Sequence, residues 1–242
     1  MAKASGGTRM KSPDNVNLIG TGRNALLTGD YHDFYLPAST RKKLPDIEKI
    51  TTYNELMSYL KKNGIDLESG NDSLSSEYGD TPTAPITKQV QMIAAAVETY
   101  KDLFGKQALK ALKRVTLLDK DTPGQAAFVA DVLDKKRSNG AETEVSAGTL
   151  RIKSFHTDCP EIFHEFAHVL QSSYAKKGED LLMFSDRMVK QAHLSDKQKA
   201  YFGARNEHLQ AERFAEAFAQ GFSEGSKIGI DFIKSVRKEL KK

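Results

Sequence analysis

The segment Asp158-Cys159-Pro160-Glu161-Ile162-Phe163-His164-Glu165-Phe166-Ala167-His168-Val169-Leu170 decides how this chain is read. Asp158 is a good N-cap with Glu161 at the third helical position, so a helix should begin near Cys159. Pro160 falls in its first turn, where proline costs little. Inside that helix, His164-Glu165-Phe166-Ala167-His168 is an H-E-x-x-H motif. At about 100° per residue, the two histidines lie one turn and about 40° apart. Two imidazoles so placed can reach one zinc ion at about 2.0–2.1 Å. Ile162, Phe166, Val169 and Leu170 occupy roughly the opposite side, which leaves the histidines on a free face. Glu165 points about 100° away from His164, beside the metal position. That placement suits a general base that takes a proton from a metal-activated water and passes it to a leaving amine.

A third ligand is expected downstream, in Asn206-Glu207-His208-Leu209-Gln210-Ala211-Glu212-Arg213-Phe214-Ala215-Glu216-Ala217-Phe218. Phe214 and Phe218 are spaced i, i+4 with Ala211 and Ala215 nearby, the apolar stripe of a packed helix. Glu212 and Glu216 form a second i, i+4 pair on the neighbouring face. Two histidines and one glutamate are a known catalytic zinc set, which makes Glu212 the third ligand. Glu216 is then the carboxylate that orients a ligand histidine. The same donor set also accepts cobalt or manganese, because affinity alone does not select the metal.

These two segments resemble the gluzincin metallopeptidases, in particular the catalytic domain of the anthrax-lethal-factor-like family. That family carries an H-E-F-G-H helix and, some 45 residues on, a stretch close to N-E-A-E-F-F-A-E-A-F. Here Glu212 follows His168 by 44 positions, and the resemblance covers roughly residues 110–225. It implies a zincin-like fold, zinc held by His164, His168 and Glu212, and Glu165 as catalytic base. The family also has a tyrosine shortly before the third ligand that stabilises the oxyanion. Tyr201 is the nearby tyrosine, but it stands eleven residues before Glu212, about one helical turn further than the family pattern. His208, four residues before Glu212 and on its face, competes with Tyr201 for that role or as a metal ligand. By the same analogy, strand Thr149–Phe155 is expected to be the sheet edge that pairs with an extended substrate.

The rest of the chain frames this site. Cys159 is the single cysteine, which excludes an internal disulfide framework and a multi-cysteine zinc knuckle. It reads as a small buried side chain. Residues 1–43 hold seven basic against three acidic residues, and Lys234–Lys242 hold five against one. The aromatics Tyr31, Phe34 and Tyr35 form no base-stacking pattern, so basic ends are read as solvated and nucleic-acid binding is not expected. Residues 1–45 read as an extended basic arm with scattered Gly, Ser, Pro and Asn. A small helical region and linker follow over 46–85, opened by a capping box at Thr52 and Glu55 and thinning into Glu68–Pro85. Residues 86–242 should form the metallopeptidase domain: a helix over 86–104 ended by Gly105, a short helix at 106–112, strands at 114–118, 126–133 and 149–155, then helices. That order argues for α+β with a small sheet.

No apolar run is long enough to span a bilayer, and Met1–Met10 has no secretory core, so no membrane partner is expected. A cytoplasmic or virion-associated place is favoured over classical secretion. The reading is therefore a zinc-dependent endopeptidase acting on an extended polypeptide. Two other classes stand beside it. The opening Met1-Ala2-Lys3-Ala4-Ser5-Gly6-Gly7-Thr8-Arg9 faintly resembles the starts of bacteriophage or mobile-element reading frames, which allows a structural or cargo protein docked by its arm and carrying a vestigial or self-processing site. The lethal-factor likeness allows a secreted toxin-type effector. Retention of Glu165 argues against a relic, since a purely structural zinc site has no use for the base.

Overall fold

A computed structural model describes residues 18–19, 31–69, 83–118, 127–129, 133–138, 141–145, 148–153, 159–191, 194, 196, 202 and 209–241. Folded structure begins well before residue 45. Strand β1 (Leu18–Ile19) pairs with β2 (Leu36–Pro37), a 3₁₀ turn spans Tyr31–Asp33, and helix α1 covers Ala38–Ile47. The arm expected over 1–45 is corrected for residues 31–45, while 1–17 and 20–30 lie outside the described residues. Thr40, Leu44 and Ile47 make a buried stripe at helical spacing, masked in sequence by Arg41-Lys42-Lys43 and Pro45. Tyr31, Phe34 and Leu36 are core residues, and the Tyr35 amide donates to the Phe222 carbonyl at 2.7 Å.

Helix α2 (Tyr53–Lys62) starts with the expected capping box, Thr52 accepting from the Glu55 amide at 3.2 Å while Glu55 accepts from the Thr52 amide at 3.2 Å. The linker expected over 68–85 lies outside the described residues at 70–82, but its first two residues belong to β3 (Asp66–Ser69), which joins the sheet. Helix α3 (Ala84–Phe104) runs through the centre of the molecule and stops where Gly105 takes a φ of 82°, a left-handed value that favours glycine. A 3₁₀ turn at Lys106–Leu109 stands where a short helix was expected. One continuous hydrophobic core then runs from Tyr31 to Val236, so position 85 is not a break in packing.

Strand β4 (Arg114–Leu118) falls where it was expected. The expected strand over 126–133 divides into β5 (Ala127–Val129) and the start of a hairpin, β6 (Leu133–Ser138) with β7 (Ala141–Val145); β8 (Thr149–Lys153) follows. The sheet order is β3-β4-β8-β5, with β3, β4 and β8 parallel and β5 antiparallel. This corrects the substrate-edge expectation: β8 is hydrogen-bonded on both sides, and Leu150 and Ile152 are fully buried. Among the described residues, the edges of this sheet are β3 and β5.

The helical layer comprises α4 (Cys159–Tyr174), α5 (Leu181–Gln191), α6 (Leu209–Ser223) and α7 (Lys227–Leu240). Tyr100 of α3 lies at its aromatic centre, with Phe163 and Phe166 of α4 and Phe218 and Phe222 of α6 at 5.7–6.3 Å between ring centroids. Its hydroxyl donates to the Phe163 carbonyl at 2.7 Å, anchoring α4 one residue before His164. Phe34 packs on Phe163 from the other side, with ring centroids 5.0 Å apart. Helices α6 and α7 cross where Gly229 meets Gly221; a Cβ on Gly229 would collide with the Ala217 carbonyl. The chain is thus α+β, and none of the described helices is long and apolar enough to cross a membrane.

Candidate metal centre

Helix α4 carries His164, Glu165 and His168, and α6 packs beside it with Glu212 in its first turn. The apolar stripe of each helix accounts for the placement. Ile162, Phe166, Val169 and Leu170 are fully buried, as are Phe214 and Phe218. Phe163 of α4 packs on Phe222 of α6, ring centroids 5.2 Å apart, and beside this contact His164 and His168 meet Glu212.

The donor atoms converge. His164 Nε2 lies 3.2 Å from His168 Nε2 and 3.2 Å from Glu212 Oε2, and His168 Nε2 lies 3.4 Å from Glu212 Oε1. Zinc–nitrogen bonds of about 2.0–2.1 Å at a tetrahedral angle separate two ligand atoms by about 3.3 Å. The separation of the two nitrogens matches that edge, the two carboxylate oxygens of Glu212 each lie at a similar distance from one of them, and one ligand atom from each of the three residues lies within 4.8 Å of the others. Among the described residues, this is the group of histidine, cysteine and carboxylate side chains spaced to hold a metal ion. Two nitrogens and one oxygen, with coordination directions left over, fit the donor preference of a catalytic zinc ion.

Electrostatics concentrate on the same atoms. Burial pushes the His168 imidazole down, but the Glu212 hydrogen bond and the charges of Glu165 and Glu212 outweigh it and hold it above its ordinary value. Hydrogen bonds from His164 and then His168 hold Glu212 well below the usual carboxylate range. Glu165 is itself buried and adjoins the cluster, and after burial its charge is a further cause of the raised Tyr100 phenol.

Glu216 sits one turn after Glu212. Its Oε2 lies 3.7 Å from His164 Nδ1, within ion-pair reach but beyond a hydrogen bond, while its Oε1 accepts from Gln220 Nε2 at 2.7 Å. Tyr201 and His208 lie outside the described residues, as do Asp158, His156 and His193. Cys159 is buried and His32 pairs with Glu48 at 2.9 Å, so both stand apart from the cluster.

The residue that sequence reasoning missed is Gln171. It is fully buried, and its Oε1 is 2.6 Å from His168 Nδ1. Its position three after His168 and seven after His164 places it on the ligand face, which was the available signal. Comparison with known proteins returns no match to a family model, a curated protein or a solved structure, so what the centre does is argued from its own geometry.

Proposed function

We propose that this chain is a zinc-dependent endopeptidase with a zincin-like fold, related in its two motif helices to the lethal-factor-like gluzincins. The observation that carries the reading is the convergence of His164, His168 and Glu212 to within 4.8 Å of one another beside the buried carboxylate of Glu165. Zinc, when bound there, supplies Lewis acidity that acidifies a water and polarises a peptide carbonyl. His164, His168 and Glu212 hold the ion. Glu165 accepts a proton from the attacking water and delivers it to the amide nitrogen as the C–N bond breaks. The water oxygen ends on the new carboxylate, and the nitrogen leaves as an amine.

The antiparallel strand β5 supports the polypeptide part of the reading. It packs on α4 and forms a sheet edge among the described residues. An extended peptide added to that edge would lie along the strand that packs on the motif helix, with main-chain hydrogen bonds aligning it. The role given in sequence to Thr149–Phe155 passes to Ala127–Val129.

The test is metal content per chain on untagged protein by elemental mass spectrometry, beside His164→Ala, followed by cleavage of a peptide library. About one zinc per chain, lost in the variant, with cleavage abolished by Glu165→Gln is the expected result. Absence of metal after incubation with zinc would overturn the proposal.

A further inference from the structure

We infer that Gln171 is a positioning residue that fixes the tautomer of His168 and ties the two ligand helices together. The inference rests on the proposed metal role of His168. It begins from the orientation of the Gln171 amide. Gln171 Nε2 lies 2.6 Å from Ser185 Oγ and 3.2 Å from the Ala211 carbonyl oxygen. A carbonyl oxygen only accepts, so the atom facing Ala211 must be the NH₂ group. Ser185 supports this, because its hydroxyl donates to the Leu181 carbonyl at 2.6 Å and has lone pairs left to accept from Gln171. Turning the amide over would set Oε1 against the Ala211 oxygen and force Ser185 to abandon Leu181. Away from water, each group left unpaired by that turn disfavours it.

The consequence passes to the imidazole. With Nε2 of the amide committed to Ala211 and Ser185, Oε1 is the atom facing His168 Nδ1, and it accepts. Nδ1 therefore carries the proton in the neutral ring. Nε2, the nitrogen that faces His164 Nε2 and Glu212 Oε1, then keeps its lone pair in the neutral ring, and its hydrogen bond to Glu212 belongs to the protonated ring. A ligand histidine needs that tautomer, and the hydrogen bond at its other nitrogen sets it. The same amide reaches Ala211, the residue before Glu212, and Ser185 of α5. One side chain of α4 thus holds a ligand of its own helix, the backbone beside the ligand of α6, and a hydroxyl of α5.

The tautomer is readable without metal, by ¹⁵N chemical shifts of labelled histidine in the zinc-free full chain at about pH 9, above the ordinary imidazole range. His168 is expected with a protonated Nδ1 and a bare Nε2; the opposite tautomer in the wild type would overturn the inference whatever zinc does. Gln171→Leu should mix the tautomers and weaken zinc binding ~10–100-fold in competition with a chromophoric chelator. Gln171→Glu keeps an acceptor on Nδ1 but sets a second oxygen against the Ala211 carbonyl, so it should keep the Nδ1-protonated ring while recovering only part of the zinc affinity. Should Gln171→Leu fail to fold, Gln171→Glu decides: a shift to the Nε2-protonated ring there overturns the inference. Equal zinc affinity in Gln171→Leu and wild type would also overturn it. A wild type that binds no zinc yet shows the expected tautomer would instead remove the metal reading and leave the Gln171 contact standing.

Discussion

Glu98 and Glu212 are both carboxylates held below their ordinary range, and the way each is held separates two regions of the molecule. Glu98 lies on α3 facing α1 and α2. It accepts from Lys43 Nζ at 2.7 Å, Tyr59 hydroxyl at 2.7 Å and Lys101 Nζ at 2.8 Å, with its side chain 10% exposed. Lys43 also reaches Asp102 at 2.7 Å, which in turn accepts from Thr40. Two ammonium groups meet two carboxylates, so this cluster closes on itself. Glu212, by contrast, is 57% exposed in its side chain, and its ion-pair partners among the described residues are two imidazoles. With neutral rings that cluster offers one negative charge and three converging lone pairs. A closed cluster holds helices together; an open one of this composition is matched by a divalent cation.

The largest effect should come from opening the His164–His168–Glu212 cluster further. His164→Ala is expected to take zinc from about one per chain to none and to abolish cleavage. The equivalent insult to the closed cluster, Glu98→Gln, should leave zinc stoichiometry unchanged. If both variants lost zinc alike, the contrast between the clusters would fail. Glu165→Gln sharpens it within the site: zinc is retained and kcat falls ~10²–10⁴-fold, as loss of a general base predicts. Single-turnover cleavage with zinc-loaded protein measures this.

How much of this contrast was legible in sequence follows from how local each feature is. His164 and His168 were legible because helical spacing alone puts both on one face, whatever surrounds the helix. Glu212 was legible through its neighbours, since Phe214 and Phe218 name the buried stripe and leave Glu212 beside it. Gln171 was not, because a glutamine in a helix reads as solvated until Ala211 and Ser185 are brought to it by tertiary packing. The Glu98 cluster was invisible for the same reason: its donors come from positions 43, 59 and 101. Helix α1 was lost because three consecutive cations and Pro45 interrupt the apolar stripe. Strand β3 was lost because Asp66-Leu67-Glu68-Ser69 gains its stability from pairing with β4 rather than from strand propensity.

The histidine of the open cluster and the carboxylate of the closed one should answer pH in opposite senses. Burial pushes His168 down in the zinc-free chain, but the Glu212 hydrogen bond and the charges of Glu165 and Glu212 together hold it above its ordinary value of 6.5. A raised folded value means the His168–Glu212 pairing stabilises the zinc-free chain fully below pH 6.5 and is lost as pH rises through the folded value. Zinc needs the unprotonated ring, so its binding follows the reverse course. The rise in Tm on adding zinc should be full well above the folded value of His168 and shrink away as pH falls below it. Calorimetry with and without zinc across that range checks it, and a zinc-induced rise that persists undiminished at the acid end would break the assignment of His168 as a ligand.

Glu98 sets the smallest and most selective expectation. Burial raises its carboxyl, but Lys101, Lys43 and Tyr59 together bring it down to about 2, against an ordinary 4.5. A depressed folded value contributes stability that is present above the unfolded value and disappears as pH falls through the folded one. Glu98→Gln removes the charge while Lys43 keeps Asp102 and Lys101 keeps Asn63 at 2.7 Å, which limits the damage. The expected loss is about 1–3 kcal/mol by urea denaturation at neutral pH. The gap between wild type and variant should hold down to pH 4.5, then narrow and close near pH 2 as the unfolded chain takes up the proton first. Zinc affinity should not move at any of these steps, because the cluster lies on the side of α3 that faces α1 and α2, whereas Tyr100 on the opposite side faces α4. A change in zinc affinity in Glu98→Gln would mean that the two clusters communicate through α3, and the Tyr100 hydroxyl on the Phe163 carbonyl would be the contact to remove next.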